Sequence, residues 1–380
     1  MKRIYADNAA TTRLSEKALA AMMPWLSGFC GNASAVYEEG REAARALFEA
    51  RSSMANCLSA KPNELYFTSG GTESDNWALR ELARLFAASG KRHIISTKIE
   101  HHAVLHTLQR LEKEGFSVEL LSPDKEGIVQ AKTLEAALRP DTAFVSVMYA
   151  NNEIGTLQPI RQMAEICHAH GVLLHTDAVQ AAGHMPLSAK EDGFDLLSLS
   201  AHKFHGPRGM GALYVRSGIP IGSFVEGGAQ ERGRRAGTEN LPGAVGMAAA
   251  LLESTAEMEQ ENKRLTYLRE ILIDGLLREI PDTYVNGSRQ LRLPGNANLS
   301  FPGVDSEALL WRLDRFGISA SAGSACAAGS LEESHVLAAI DCPGACRKAA
   351  VRFTLGRENT EEEIKLLIQY TKEAVEELRA

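Results

Sequence analysis

The chain has 380 residues, of which 44% are hydrophobic and 23% charged, as expected for a globular protein of about two domains. Its net charge of -7 argues against a nucleic-acid-binding protein, because phosphate contacts need clustered lysine and arginine. No apolar run reaches the roughly 20 residues of a membrane-spanning helix, no secretory signal opens the sequence, and the six cysteines are scattered, so we expect a cytoplasmic protein.

The first two-thirds of the chain alternates short apolar runs with longer amphipathic stretches. This alternation predicts an α/β fold with a mainly parallel sheet, covered by helices on both faces. Ligands of such sheets bind beyond the carboxyl ends of the strands. The predicted strands cover residues 65–69, 93–96, 143–150, 172–177, 195–200 and 211–215, and the clearest helices cover residues 73–89 and 160–171.

A helical pattern then runs from Asn240 to about Glu279, which is longer than one ordinary helix and indicates a bridge between two domains. Strands of a smaller α+β domain are predicted within residues 296–303, 318–323 and 350–356, before a final helix from about Glu361. We therefore predict a large domain over residues 1–255 and a small one over 256–380. The first 15 or so residues are expected to pack with the small domain.

The first chemical signal is the turn from Thr68 to Glu73, which follows a strand and opens a helix. Its two glycines, Gly70 and Gly71, let backbone N–H groups approach an anion, and a helix N-terminus favours negative charge. The turn could therefore bind a phosphate. An ordinary capped turn between a strand and a helix is the alternative.

Two further signals are Asp177, at the end of an apolar strand, and Lys203, just after the next strand. Each alone could be a surface loop residue. Together with the phosphate turn they supply what pyridoxal phosphate requires: an anion site, an acid for the pyridine nitrogen and an amine for a Schiff base. On these residues the chain resembles the fold-type I pyridoxal-phosphate enzymes, which implies a mainly parallel seven-stranded sheet in a large domain and a small α+β domain.

Cys326 lies in a run of small residues from Ser321 to Ser330. A structural cysteine usually has large apolar neighbours, and this one has none in sequence. Cys326 is therefore a candidate nucleophile that could approach a substrate and then carry the product to an acceptor. A structural role in the loop is the alternative.

This loop resembles the Ser-Gly-Ser-Ala-Cys segment of the cysteine desulfurases that serve iron–sulfur assembly and nitrogen fixation. The length of the loop is similar to that of the first of the family's two groups. The resemblance extends over nearly the whole chain, and its clearest segments are residues 5–12, 68–76, 100–101, 151–155, 177–180, 200–207, 235–238 and 352–357.

The resemblance implies a role for each matching residue. Lys203 would form the Schiff base with the cofactor, and Asp177 would pair with the pyridine nitrogen. His101 would stack over the ring and move protons, although a capping or packing histidine is the alternative. The other implied cofactor contacts are Gly71, Thr72, Asn152, Gln180, Ser200 and His202, with Thr238 reaching the phosphate of a partner subunit.

Arg352 resembles the residue that binds the substrate carboxylate, near Asn152, and a guanidinium suits that role because it can donate two parallel hydrogen bonds. A structural salt bridge is the alternative. No complete metal site is predicted: Cys342 and Cys346 supply only two ligands.

The resemblance thus implies a homodimeric cysteine desulfurase. It would convert L-cysteine into L-alanine and leave the sulfur on Cys326 as a persulfide. The persulfide would pass to an acceptor such as an iron–sulfur scaffold or a tRNA-thiolation enzyme. A selenocysteine lyase, another pyridoxal-phosphate lyase, an aminotransferase and a sulfur-relay scaffold without turnover are the alternatives.

Overall fold

The computed structural model describes residues 3–323 and 333–380. A seven-stranded sheet lies at its centre, and two small sheets accompany it. The strands are β1 (Ile4–Tyr5), β2 (Leu65–Thr68), β3 (His93–Thr97), β4 (Ser117–Leu121), β5 (Thr142–Ser146), β6 (Leu173–Asp177), β7 (Leu196–Ser200), β8 (Gly211–Val215), β9 (Tyr284–Val285), β10 (Asn296–Ser300), β11 (Ile318–Ser319) and β12 (Ala350–Thr354).

The helices surround these sheets. They are α1 (Glu16–Leu26), α2 (Glu38–Cys57), α3 (Gly71–Ala87), α4 (His102–Lys113), α5 (Ala131–Ala137), α6 (Ile160–Ala169), α7 (Gln230–Gly233), α8 (Leu241–Glu279), α9 (Ser306–Arg315), α10 (His335–Ala339), α11 (Gly344–Arg347) and α12 (Glu361–Arg379). Within the described residues, none of them combines the length and apolar content needed to cross a bilayer.

The order of the large sheet is β2-β8-β7-β6-β5-β3-β4, with β8 antiparallel to both of its neighbours and the other pairs parallel. This confirms the predicted α/β fold with a mainly parallel sheet. Strand β4 was not among the predicted strands. It lies at the edge of the sheet and is largely exposed, so it carries no long apolar run that would reveal it.

Helices cover both faces of the large sheet, because successive residues of a strand point to opposite sides. Phe144 and Leu196 pack in an apolar cluster with α3 and α4. Their neighbours Val145 and Leu197 pack in another cluster with α2, α6 and the first half of α8. The central strands are therefore buried on both faces, as their continuous apolar runs indicate.

Helix α8 is one element of 39 residues that contributes to two apolar cores. Met247 and Leu251 belong to the core beside the large sheet. Leu265, Leu272 and further residues pack in a second core with β10, β12, α9 and α12. The proposed division after residue 255 falls inside this continuous helix, and it stays a prediction.

Pairing between distant parts of the chain brings the N-terminal residues to the centre of the molecule. Strand β1 pairs in parallel with β11, with Ile4 opposite Ile318. Ala6 then accepts a hydrogen bond from the backbone of Thr354, at the end of β12. The segment that follows, residues 7–12, is thereby placed beyond the carboxyl ends of β6 and β7.

Candidate active site

A cavity of about 220 Å³ lies beyond the carboxyl ends of the central strands. The N-terminal segment, the start of α3, the ends of β6 and β7, and strand β12 all contribute to its wall. Its lining residues are Ala9, Ala10, Gly71, Thr72, Asp75, His101, Met148, Ala150, Asn152, Asp177, Val179, Gln180, Ser200, His202, Lys203 and Arg352. Of the predicted site residues that the structure describes, all except Thr238 thus line one cavity.

Thr238 lines a separate cavity, together with Gly209 and with Ser69 from the turn that precedes α3. Cys326 falls outside the described residues. The predicted contact of Thr238 with a partner subunit and the predicted role of Cys326 therefore stay predictions.

Asp177 is the last residue of β6, and its side chain is almost completely buried. Its Oδ1 accepts a hydrogen bond from the backbone N–H of Val179 at 2.9 Å. Burial raises the pKa of Asp177 to about 6, while that hydrogen bond and the charge of Lys203 oppose the rise. A cationic group bound in the cavity would favour the carboxylate form of Asp177.

Lys203 ends the short 3₁₀ turn after β7. Its Nζ donates hydrogen bonds to the carbonyl oxygens of Ala9 at 2.6 Å and Ala10 at 2.9 Å. The amine is thus held in the cavity by neutral acceptors from the N-terminal segment.

The start of α3 and the end of β7 line the same part of the cavity. Gly71 opens this 17-residue helix, and Thr72, Ser200 and His202 line the same part of the cavity. A Cβ atom on Gly71 would lie 2.5 Å from Cγ2 of Val179, so a larger residue there would force Val179 to move. The free N–H groups of the helix and these side chains supply the donors that a phosphate needs.

The cavity fits pyridoxal phosphate by the chemistry of its donors. The cofactor presents a phosphate, a pyridine nitrogen and an aldehyde carbon, and the cavity offers a helix N-terminus, a buried carboxylate and an amine. Asp75 adds a second buried acid, whose Oδ1 has no hydrogen-bond partner among the described residues. Burial and the nearby Asp177 raise the pKa of Asp75 well above its usual range.

His101 is the N-cap residue of α4, and its Nδ1 accepts a hydrogen bond from the backbone N–H of Ala103 at 3.1 Å. In the neutral ring the proton is therefore on Nε2. Burial, followed by the charge of Lys203, lowers the pKa of His101 to about 4. The ring is thus uncharged at neutral pH, and it combines a capping role with a place in the cavity wall.

Arg352 lies in the middle of β12 and is 1% exposed. Its Nη1 donates to the carbonyl oxygen of Asn152 at 2.8 Å, and its Nη2 pairs with Oδ1 of Asp7 at 2.8 Å. Arg352 therefore does form a salt bridge, the structural role that the sequence left open as an alternative. Because Arg352 also lines the cavity, the salt bridge does not exclude a role in binding.

Sequence reasoning assigned no role to several groups that contact the site. They are the carboxylates of Asp7 and Asp75 and the carbonyls of Ala9 and Ala10. In the sequence, residues 5–12 are distinctive only through the resemblance to the family. No local pattern reveals these contacts, because a backbone carbonyl looks the same at every position.

Glu100 is a buried acid directly before His101. Its Oε1 accepts hydrogen bonds from Thr97 Oγ1 at 2.6 Å and from the backbone N–H of Met148 at 3.0 Å. Oε2 has no hydrogen-bond partner in the described part of the chain. Burial raises the pKa of Glu100 from 4.5 to about 8 despite these hydrogen bonds, so the folded protein holds a proton there at neutral pH.

This proton makes the stability of the protein depend on pH. Between about pH 4.5 and 8 only the folded state binds it, so the free energy of unfolding falls as the pH rises. We expect Glu100→Gln, which keeps the acceptor and has no proton to lose, to gain stability relative to the wild type by up to a few kcal/mol over this range. Urea unfolding at about pH 5 and pH 8 measures the difference.

Glu112→Gln is the matched control, because Glu112 is an exposed glutamate on α4. Its stability should follow that of the wild type at both pH values. If the free energies of unfolding of Glu100→Gln and the wild type differ by the same amount at both pH values, Glu100 holds no proton in the folded state.

No group of three or more His, Cys, Asp or Glu side chains in residues 3–323 and 333–380 is arranged to hold a metal ion. Cys342 and Cys346 are both buried in a small apolar cluster with Ile99, Met148 and Ile154. Burial raises the pKa of the Cys342 thiol to about 11, which disfavours the thiolate.

Comparison with known proteins shows the family of the chain. Residues 4–367 match the family model "Aminotransferase class-V". The chain is 48% identical over 378 residues to "Cysteine desulfurase IscS" of Methanosarcina thermophila, an alignment that covers all of this chain and 93% of that protein. It is 46% identical to the protein of the same name from Dictyoglomus turgidum, covering all of this chain and 96% of that one.

The solved structure of a "NIFS-LIKE PROTEIN" superposes with a TM-score of 0.93 at 37% identity, over 98% of this chain and 99% of that one. Class V aminotransferases and cysteine desulfurases depend on pyridoxal phosphate, which the donors of the cavity fit. With a family model and relatives that extend over nearly its whole length, the chain belongs to the cysteine desulfurase family of class V aminotransferases.

Proposed function

We propose that this protein is a pyridoxal-phosphate-dependent cysteine desulfurase that converts L-cysteine into L-alanine and takes the sulfur onto Cys326. The observation that carries the proposal is the meeting of Lys203, Asp177 and Arg352 in one cavity, in a chain whose relatives are cysteine desulfurases along their whole length. An amine, a carboxylate and a guanidinium are the groups needed to hold the cofactor and an amino acid together.

Several residues of the cavity would hold the cofactor. The N-terminus of α3 with Gly71, Thr72, Ser200 and His202 would bind the phosphate. Asp177 would pair with the pyridine nitrogen, Lys203 would hold the cofactor through its amine, and Asn152 and Gln180 would lie near the ring hydroxyl. When bound, the cofactor supplies an acceptor for the electrons that are released as bonds to the amino acid break.

The chain's own groups would then move the protons and the sulfur. Lys203 Nζ would take the proton from Cα of L-cysteine, and the neutral ring of His101 would assist transfer of the thiol proton. The Cys326 thiolate would attack the substrate sulfur, so that an S–S bond forms as the Cβ–S bond breaks. The electron pair of the broken bond stays with the three-carbon product, which takes up protons and leaves as alanine.

Arg352 would bind the substrate carboxylate. Its support is a place in the cavity wall, almost complete burial and a fixed backbone position in the middle of β12. The solved structure entitled "SspA in complex with cysteine", 34% identical with a TM-score of 0.82 over 93% of this chain and 98% of that one, is of a protein that binds cysteine.

The remaining parts of the proposal concern assembly. We infer a cytoplasmic homodimer in which Thr238 of one subunit contacts the phosphate bound by the other. The persulfide of Cys326 would pass to an acceptor protein, either an iron–sulfur scaffold or a tRNA-thiolation enzyme. The position of Thr238 outside the cavity of its own chain agrees with a contact made across subunits.

The test is to load the purified protein with pyridoxal phosphate and to measure its absorbance. Release of alanine and sulfide from L-cysteine is then measured with a thiol reductant present, which frees the persulfide sulfur as sulfide. A yellow protein that forms both products in equal amounts supports the proposal. A protein that takes up no cofactor would favour a sulfur-relay scaffold. Release of selenide from selenocysteine without release of sulfide from cysteine would identify a selenocysteine lyase instead.

A further inference from the structure

We propose that Asp7 is a built-in counter-charge to Arg352, which weakens the binding of carboxylate ligands to the site and so eases the release of the product. The inference rests on the proposed function, because it takes Arg352 as the residue that binds the substrate carboxylate. Asp7 does not line the cavity, so it acts through Arg352 and is a positioning residue.

Both carboxylate oxygens of Asp7 are bound by groups from the C-terminal part of the chain. Oδ1 accepts from Arg352 Nη2 at 2.8 Å, and Oδ2 accepts from Ser321 Oγ at 2.9 Å. Backbone hydrogen bonds join Ser321 and Arg352 in both directions, at 3.2 and 2.7 Å. Asp7 is therefore held against the guanidinium by a fixed framework.

The guanidinium of Arg352 has one negative neighbour and a spare donor. Across residues 3–323 and 333–380, Asp7 is the one acidic residue within ion-pair distance of it. Asn152 contributes a neutral carbonyl oxygen, and Nε has no hydrogen-bond partner among the described residues. A buried donor without a partner is costly, so Arg352, which lines the cavity, is suited to a further acceptor.

A substrate carboxylate on Arg352 would share the guanidinium with Asp7. Two carboxylates on one guanidinium lie on the order of 6 Å apart, and at an effective dielectric constant of about 20 their repulsion weakens the binding about 100-fold. Only 15% of the Asp7 side chain is exposed, so solvent reduces this effect only in part. We expect Asp7 to weaken the binding of a carboxylate ligand about tenfold or more.

The repulsion acts alike on substrate and product, because L-cysteine and L-alanine carry the same carboxylate. Tighter binding of both would lower KM without raising kcat, and it would slow the release of alanine. Asp7 also neutralises the buried guanidinium when no substrate is bound. The ion pair between Asp7 and Arg352 thus keeps the guanidinium ordered when no ligand is bound, and it weakens the binding of the product carboxylate.

The test is Asp7→Asn in the holoenzyme, because asparagine keeps the shape and an acceptor oxygen but removes the charge. We expect the dissociation constant of L-alanine, measured by calorimetry, to fall about tenfold or more. The affinity for cysteamine, which lacks the carboxylate, should be unchanged. Ser321→Ala is the matched control, which removes a neutral contact of Asp7 without changing the charge, and it should stay within about twofold of the wild type.

The proposal would be overturned if Asp7→Asn bound L-alanine no more tightly than the wild type does. It would also be overturned if the affinity for cysteamine rose as much as that for L-alanine, or if Ser321→Ala changed L-alanine binding as much as Asp7→Asn does. If Asp7→Asn does not fold, the double variant with Arg352→Gln decides. If the double variant folds, the result supports a role of Asp7 as the counter-charge of Arg352. If it does not fold, Asp7 has only a structural role. Because L-alanine binding needs no turnover, a wild type inactive on L-cysteine would refute the proposed function and leave this test intact.

Discussion

Lys203→Ala is expected to lower the rate of alanine release from L-cysteine by about a thousandfold or more, because it removes both the amine that holds the cofactor and the base that takes the Cα proton. The variant should also lose the yellow absorbance that the wild type shows when its amine is joined to the cofactor. Single-turnover measurements with excess enzyme give the rate, and an absorbance spectrum gives the state of the cofactor.

The matched control is Lys190→Ala, since Lys190 is an exposed lysine in a turn between β6 and β7 and lies outside the cavity. It should keep both the activity and the colour of the wild type. The truncation at position 203 leaves the carbonyls of Ala9 and Ala10 without the Nζ donor, so the melting temperature of both variants must be compared. A folded, yellow and active Lys203→Ala would contradict the assignment of the amine.

Cys326→Ala should retain the cofactor and its colour, yet form no persulfide and release alanine on the order of a thousandfold more slowly. The reason is that the substrate sulfur needs a thiolate acceptor before the Cβ–S bond can break. Mass spectrometry after one turnover measures the extra sulfur atom on the wild-type chain, and an alanine assay measures the rate.

Cys30→Ala provides the comparison, because Cys30 is an exposed free cysteine that lies outside the cavity. Its activity and its persulfide content should match those of the wild type. Should Cys326→Ala still release sulfide and alanine at the normal rate, the acceptor would be another thiol or an external one, and the chain would act by a different lyase chemistry.

The elements that the sequence predicts well are those whose pattern is strong and local. Strands β5 to β8 follow from continuous apolar runs, and residues 211–215 were predicted with the bounds that the structure has. The edge strand Ser117–Leu121 was missed because an exposed strand carries no apolar run. The pattern of residues 240–279 predicted its helix almost to the residue.

The site divides in the same way. Asp177 and Lys203 could be predicted because they stand at the ends of buried strands, where ligands of parallel sheets bind: Asp177 is the last residue of β6, and Lys203 ends the short turn after β7. The contact of Asp7 with Arg352 could not, because it joins residues 345 positions apart and depends on the packing of the whole chain. Asp75 and Glu100 look like ordinary helix-start acids in sequence, and only their burial in the structure distinguishes them.

The pairing of β1 with β11 also fixes the order in which the protein can become complete during its synthesis. Residues 4 and 5 emerge from the ribosome first, but their strand partners at 318 and 319 and the Asp7 partner at 352 emerge near the end. The carbonyls that hold Lys203 are therefore not secured by this pairing until almost the whole chain has been made. A chain truncated before β11 would lack both Arg352 and the strand that pairs with β1, so its cavity would be incomplete.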